Sequence, residues 1–384
     1  MVTRKLLRGA GDNLPNGGQG YLPADIVNLY NFPPGLTGQG QTIGILEFSD
    51  GYSLNDARVF WQSAGISQPQ LTFVSVDGTR NDGGTNPGDE EASLDLQWAG
   101  ALAPGAHLIV YEASAGQTYA TFADAVTRTL QYILSDTTYQ PTVLSISYGD
   151  AEATFPVEAV TQWADLIAEL DAKGVTVCVA SGDQGAYGMH DLNGPLVRHA
   201  DAPATCVQAL AVGGTSLQAD GTETAWTYYG PQNGGATGGG FSTLFSQPQY
   251  QSGLGAQSGR GVPDVSFNAD PATGYQIFFQ GQPVVVGGTS VACPVFAAIV
   301  ALANESRAQA GLPALSGLVQ TLYGQAAAIP YNAITTGNNS FNGVTGFDAG
   351  PGWSACTGWG SVNVSQFVNW LSSVTGLSDS GTGV

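Results

Sequence analysis

From Tyr21 onward the chain repeats one pattern: a short, almost wholly apolar run, then a longer stretch with apolar residues at helical spacing. The apolar runs are TIGILEF (42–48), LTFVSV (71–76), HLIVYEA (107–113), PTVLSISY (141–148) and VTVCVAS (175–181). Between them, SLNDARVFWQSAG (53–65), EASLDLQWAGALA (91–103), residues 119–135 and VEAVTQWADLIAELDAKG (157–174) read as helices. Strands with no polar face must be covered on both sides, and intervening helices supply that cover while forcing the strands parallel. The predicted fold is therefore α/β, a parallel sheet with helices on both faces. YQIFFQGQPVVVGG (275–288) carries two-residue turn chemistry and reads as a hairpin feeding a helix that begins near Thr289. Residues 1–20 are polar and glycine-rich and are expected to form a poorly ordered leader. Nothing divides residues 21–384, which are expected to form a single domain.

Charge narrows the function classes. Thirty acidic residues stand against ten basic ones, and only 10% of the chain is charged. Such a surface repels nucleic acid and anionic membranes at neutral pH, so neither is an expected partner. It suits work in acid, where carboxylates protonate and self-repulsion falls. No run of about 18 apolar residues is present, so no membrane span is expected. The first 20 residues hold no apolar core of signal-peptide length. An extracellular or other acidic location therefore implies a targeting segment already removed, and the cytoplasm stays open. A monomer is expected. The four cysteines, Cys178, Cys206, Cys293 and Cys356, show no CxxC spacing and do not read as a metal site; Cys178 reads as a core residue.

In open parallel sheets the chemistry lies beyond the carboxyl ends of the strands. Glu47, Tyr148, Asp150 and Asp183 all fall there. The sharpest motif is GGTSVACP, Gly287 to Pro294. A serine after a glycine turn, at the start of an apolar helix, exposes its hydroxyl where the helix end favours negative charge. Ser290 is thus a candidate nucleophile; the plain alternative is a helix-capping hydroxyl.

A serine nucleophile needs a base. His107 lies in a strand pattern, and His190 and His199 read as surface or loop residues. Glu91 and Asp95 stand four apart in GDEEASLDLQWAGALAPGA (88–106), so a helix puts both on one face. Paired carboxyls can share a proton and leave one able to accept from a hydroxyl. The alternative is a solvated acidic helix face, against which the apolar AGALAP argues. Asp183, in ASGDQGA, reads either as a turn residue or as a protonated acid donating to an oxyanion.

Together, Glu91 and Asp95 in ExxxLD, ASGD at Asp183, GRGVPDVSFNADPATGY (259–275) and GGTSVACP resemble the sedolisins, the serine-carboxyl peptidases. The resemblance spans about residues 21–370, with YNFPPGLTGQGQTIGILE near its start and AGPGW near its end. It implies a subtilisin-like fold, Ser290 as nucleophile, Glu91 as general base, Asp95 orienting that base and Asp183 as oxyanion donor. Glu47 matches an acidic residue that extends the carboxylate chain in some members; otherwise it is a strand-end carboxylate. An extended peptide substrate is expected to pair with backbone near 145–150 and 238–241, which makes Tyr148, Gly149, Asp150 and Gly239 candidate substrate-binding residues.

Two departures stand out. Tyr148 in SISYGD replaces the family's tryptophan in SISWG. The family's calcium loop, FxDIT and GPGWD, here reads YNAIT and GPGWS, so Ala333 and Ser354 replace two aspartates. No metal and no other cofactor is expected. The prodomain of family precursors is absent from this chain; a trimmed product and a short gene product both remain open.

Overall fold

The computed structural model describes residues 7–9, 14–48, 51–228 and 234–374. Five of the apolar runs form adjacent strands, β1 (Thr42–Glu47), β2 (Gln70–Ser75), β3 (His107–Glu112), β4 (Val143–Ile146) and β5 (Thr176–Ala180). Two more, β6 (Leu210–Leu217) and β7 (Val265–Asn268), extend the sheet. Their order is β7-β6-β5-β4-β1-β3-β2, all parallel, with Glu223–Ala225 added antiparallel on β6. The parallel expectation holds.

Side chains alternate between two cores. Ile43, Ile45, Leu108, Val110, Val143 and Cys178 share one apolar cluster; Leu46, Ile109, Tyr111, Leu144, Ile146 and Val177 share the other. Helices α1 (Leu54–Ser63), α2 (Asp89–Leu102), α5 (Thr289–Gln309) and α6 (Val364–Ser373) cover the first face. Helices α3 (Tyr119–Ser135) and α4 (Val157–Ala172) cover the second. Caps fit the sequence: Ser53 Oγ accepts from Asp56 N at α1, and Thr118 Oγ1 from Thr121 N at α3.

Every residue of α2 is buried, including Asp89, Glu90, Glu91 and Asp95. Helix α5 is, among the described residues, the one helix long and apolar enough to cross a membrane, which the run-length expectation missed. Its apolar window is 94% buried between the sheet, α2 and α6, as in a core helix.

The expected hairpin is present as β8 (Tyr275–Phe279) and β9 (Gln282–Gly287), joined through Gln280 and Gly281, both at positive φ. The leader needs correction. Leu7 and Arg8 pair antiparallel with Gly287 and Val286, and Gly9 N donates to Val285 O. Free edge backbone on β9 recruits them, and Arg8 reaches Glu90 at 3.0 Å. Residues 1–6 and 10–13 of the expected leader, and 375–384 of the expected domain, lie outside the described residues.

Candidate active site

Ser290 is the second residue of α5 and fully buried. The turn that delivers it depends on Gly288, whose φ is 116°. A Cβ there would stand 2.6 Å from Asp183 Oδ2, so only glycine lets the chain pass Asp183 this closely. Asp183 follows β5 in a tight loop. Its Oδ1 accepts from Thr289 N and from Thr289 Oγ1, both at 2.8 Å, which fixes the carboxyl at the mouth of the α5 N-terminus.

Ser290 Oγ lies 3.4 Å from Ser147 O. The Ser147 hydroxyl is 3.0 Å from Asp95 Oδ1 and 3.1 Å from Ser290 O, so it bridges the serine helix to the carboxylate helix. The charges of Asp95 and Glu91, both on α2, act on Glu47 at the end of β1. The expectation of a buried acidic pair on one face holds, and the solvated-face alternative fails: Glu91 is 2% exposed and Asp95 fully buried.

Glu47 ends β1, is fully buried, and accepts from Tyr148 Oη at 2.8 Å on Oε2. Burial pushes its acid well above the usual range, and the neighbouring charges of Asp95, Glu112 and Glu91 push the same way. The strand-end surface alternative is thereby excluded. Tyr148 packs edge-on to Phe48 at 5.2 Å, and burial with the Glu47 charge raises its phenol well above the usual range. Two residues of this assembly escaped the sequence reading: Ser147 and Glu112. Glu112 carried a usable signal, since HLIVYE ends a buried strand on a carboxylate just as TIGILE does.

Two of the three histidines, His107 and His190, are engaged elsewhere. His107 opens β3, at the sheet end opposite Glu112, and meets Thr72 Oγ1 at 2.8 Å. His190 Nδ1 lies 3.2 Å from Asp150 Oδ2. Cys293, one turn beyond Ser290, is fully buried, and burial above all pushes its thiol up to about 12. All four cysteines are free and buried, and Cys178 is a core residue as expected.

The substrate-binding expectation needs correction in part. Asp150 is fully buried, and its carboxylate is occupied by Tyr119 Oη, Ala151 N, His190 N and the His190 ring, so it cannot also serve a substrate. Residues 145–146 lie in β4 between β1 and β5 and present no edge. Asp150–Ala151 already pairs with Asp201–Ala202, and Gly240–Phe241 with Gly261–Val262. Gly238 donates to Gly182 O and accepts from Ser181 Oγ. Tyr148, Gly149 and Gly239 remain as candidates. Gly149 passes the Ala202 carbonyl so closely that a Cβ would sit 2.6 Å from that oxygen.

At the expected calcium loop neither of the two aspartate positions, Ala333 and Ser354, supplies a carboxylate. Ala333 offers no side-chain ligand, and Ser354 Oγ is turned into its own loop, accepting from Thr357 N and meeting Thr357 Oγ1, both at 3.1 Å. A cavity of about 340 Å³ adjoins Ala333 and Ile334 and contains Glu223. That carboxylate is taken by Tyr30 Oη, Thr215 Oγ1 and Ser361 Oγ. Among the described residues, no three His, Cys, Asp or Glu side chains are grouped to hold a metal.

Comparison with known proteins agrees with the fold. The subtilase family model matches residues 78–360. The chain is 42% identical over 356 residues to kumamolisin of Bacillus sp. (strain MN-32), covering 89% of this chain and 62% of that protein. It is 30% identical over 373 residues to sedolisin of Pseudomonas sp. (strain 101), covering 92% and 62%. It thus spans just over three-fifths of the length of these curated relatives. Among solved structures, Pseudomonas sedolisin, described as a serine-carboxyl proteinase complexed with two molecules of pseudo-iodotyrostatin, superposes with a TM-score of 0.80. The two are 26% identical, covering 92% of this chain and 98% of that one.

Proposed function

The chain belongs to the sedolisins, within the subtilase family, and on that premise we propose that it is an acid-active serine-carboxyl peptidase cleaving peptide bonds through a Ser290 acyl-enzyme. One observation carries the reading: Ser147 links Ser290 to Asp95 by contacts of 3.4, 3.1 and 3.0 Å, with the histidines His107 and His190 held by other partners. In this mechanism Glu91 accepts the Ser290 proton as Oγ attacks the substrate carbonyl. Asp95 orients Glu91 and is itself held by Ser147. The Ser290 N–H at the α5 N-terminus and a protonated Asp183 stabilise the oxyanion. Glu91 returns the proton to the leaving amine, and water repeats the sequence to release the acyl group.

The substrate is an extended peptide or protein segment lying along Tyr148–Gly149 and Gly239. In this reading no cofactor takes part and the enzyme works as a monomer outside the cell or in another acidic compartment, a setting its acidic composition suits, with the cytoplasm as the alternative. The test is turnover of a fluorogenic peptide library from pH 2 to 8. Activity with its maximum at roughly pH 3–5 is expected, because base and acid must then coexist. An optimum near neutrality would sink the carboxylate mechanism; no turnover at any pH would favour a silent peptide-binding homologue.

A further inference from the structure

Glu112 is a buried carboxylate that the mechanism above does not use. It ends β3 as Glu47 ends β1, and the two are direct register partners across that parallel pair. Residues at one register position of neighbouring parallel strands project to the same face. For these two it is the face of Ile45 and Val110, covered by α2 and α5. Both carboxyls are fully buried. Two acids side by side out of water cannot both ionise at ordinary cost, so such a couple keeps one proton.

We propose that Glu112 and Glu47 form a proton-sharing couple at the inner end of the carboxylate chain, making Glu112 a positioning residue for Asp95 and Glu91. This rests on the reading of Glu91 as base. Asp95 then meets a couple that carries one charge, held by a hydrogen bond, where two independent carboxylates would repel it. The other titratable groups facing the couple are Glu91 and Asp95 from α2 and Tyr148 beyond β4. On the outer side β2 presents Ser75 at this register, and Asp77 beyond it is turned to Ser114 N and Arg128. The charge of Glu112 acts on both Glu47 and Tyr148, in each case upward.

A couple loses its last proton at a higher pH than a lone acid in the same place. Glu112→Gln leaves Glu47 alone, so the proton that steadies Asp95 departs sooner. The alkaline limb of kcat/KM should move toward acid by about one pH unit. Glu112→Asp, which withdraws the carboxyl by one methylene, should move it the same way by less, and carries the test if the glutamine variant fails to fold. A second readout needs no turnover. Glu47 holds its proton in the folded chain above the pH where an unfolded glutamate loses it, about 4.3. Stability from this couple is thus full below that pH and lost as pH rises through the raised folded value. Glu47→Gln and Glu112→Gln should each flatten the fall of Tm between pH 4 and 7, and the double variant should be no flatter than either. Superimposable pH profiles for parent and Glu112→Gln, or fully additive effects on Tm, would overturn the couple. A parent without acid activity would sink the peptidase reading while leaving the Tm cycle to decide the couple.

Discussion

Tyr148 Oη donates to Glu47 Oε2 at 2.8 Å, across the carboxyl ends of β1 and β4 and out of contact with bulk water. The tyrosine stands where the family has a tryptophan, and it keeps both the aromatic body and a donor. Removing the hydroxyl alone leaves a buried acceptor short of its partner, which costs about 1–3 kcal/mol. Tyr148→Phe should therefore lower Tm by several degrees and reduce kcat more than it raises KM. An unchanged Tm and kcat would mean that the hydrogen bond holds nothing in place. Tyr148→Trp should retain most activity while altering cleavage preference, read by sequencing the products of a peptide library.

Ser290→Ala removes one hydroxyl at a helix start, where little packing depends on it. Turnover should fall to background with unfolding stability within about 0.5 kcal/mol of the parent's. Glu91→Gln should do the same to turnover, because an amide cannot accept the serine proton. If either variant kept more than a few per cent of activity, its assigned role would be wrong.

Asp183 is assigned as a donor that acts only when protonated. Asn at this position donates without that requirement. The amide oxygen can still accept from Thr289 N, so the loop should survive. Asp183→Asn should lower peak kcat by about 10²–10³, the usual cost of disturbing an oxyanion donor, and extend what activity remains toward neutral pH. A lowered rate with an alkaline limb identical to the parent's would show that another group sets that limb.

Calcium wants six to eight oxygens, most of its affinity coming from carboxylates. Ala333 has no side-chain oxygen to supply, and Ser354 spends its hydroxyl on Thr357. The C-terminal loop is held instead by packing and internal bonds: Trp359 stacks on Tyr331, and Trp353 Nε1 donates to Pro263 O. Thermal unfolding at pH 6 should give the same midpoint in EDTA and in millimolar calcium. A fall of several degrees in EDTA, reversed by calcium, would show that the loop still binds the ion.

The alternation of apolar runs with helical stretches was enough to specify a parallel sheet covered on both faces, because strands without a wet side admit few other arrangements. Local chemistry was equally legible. Gly288 before Thr289 marks the helix start that presents Ser290, and Glu91 with Asp95 four residues on must share a face of any helix. What lay beyond the sequence was register. Whether Glu112 stands beside Glu47 or one residue away depends on how β3 slides against β1, and a slip of one residue would turn its carboxyl to the opposite face of the sheet. The same holds for backbone already spoken for. Asp150 looked open to a substrate until folding brought His190 and Tyr119 against its carboxylate, and Gly240–Phe241 has one of its two edges taken by Gly261–Val262. Such pairings join residues 20 to 50 positions or more apart in the chain, and no local pattern encodes them. Leu7 and Arg8 follow the same rule: polar, glycine-rich surroundings predicted disorder, but the unpaired edge of β9 supplied hydrogen bonds that only the assembled fold can offer.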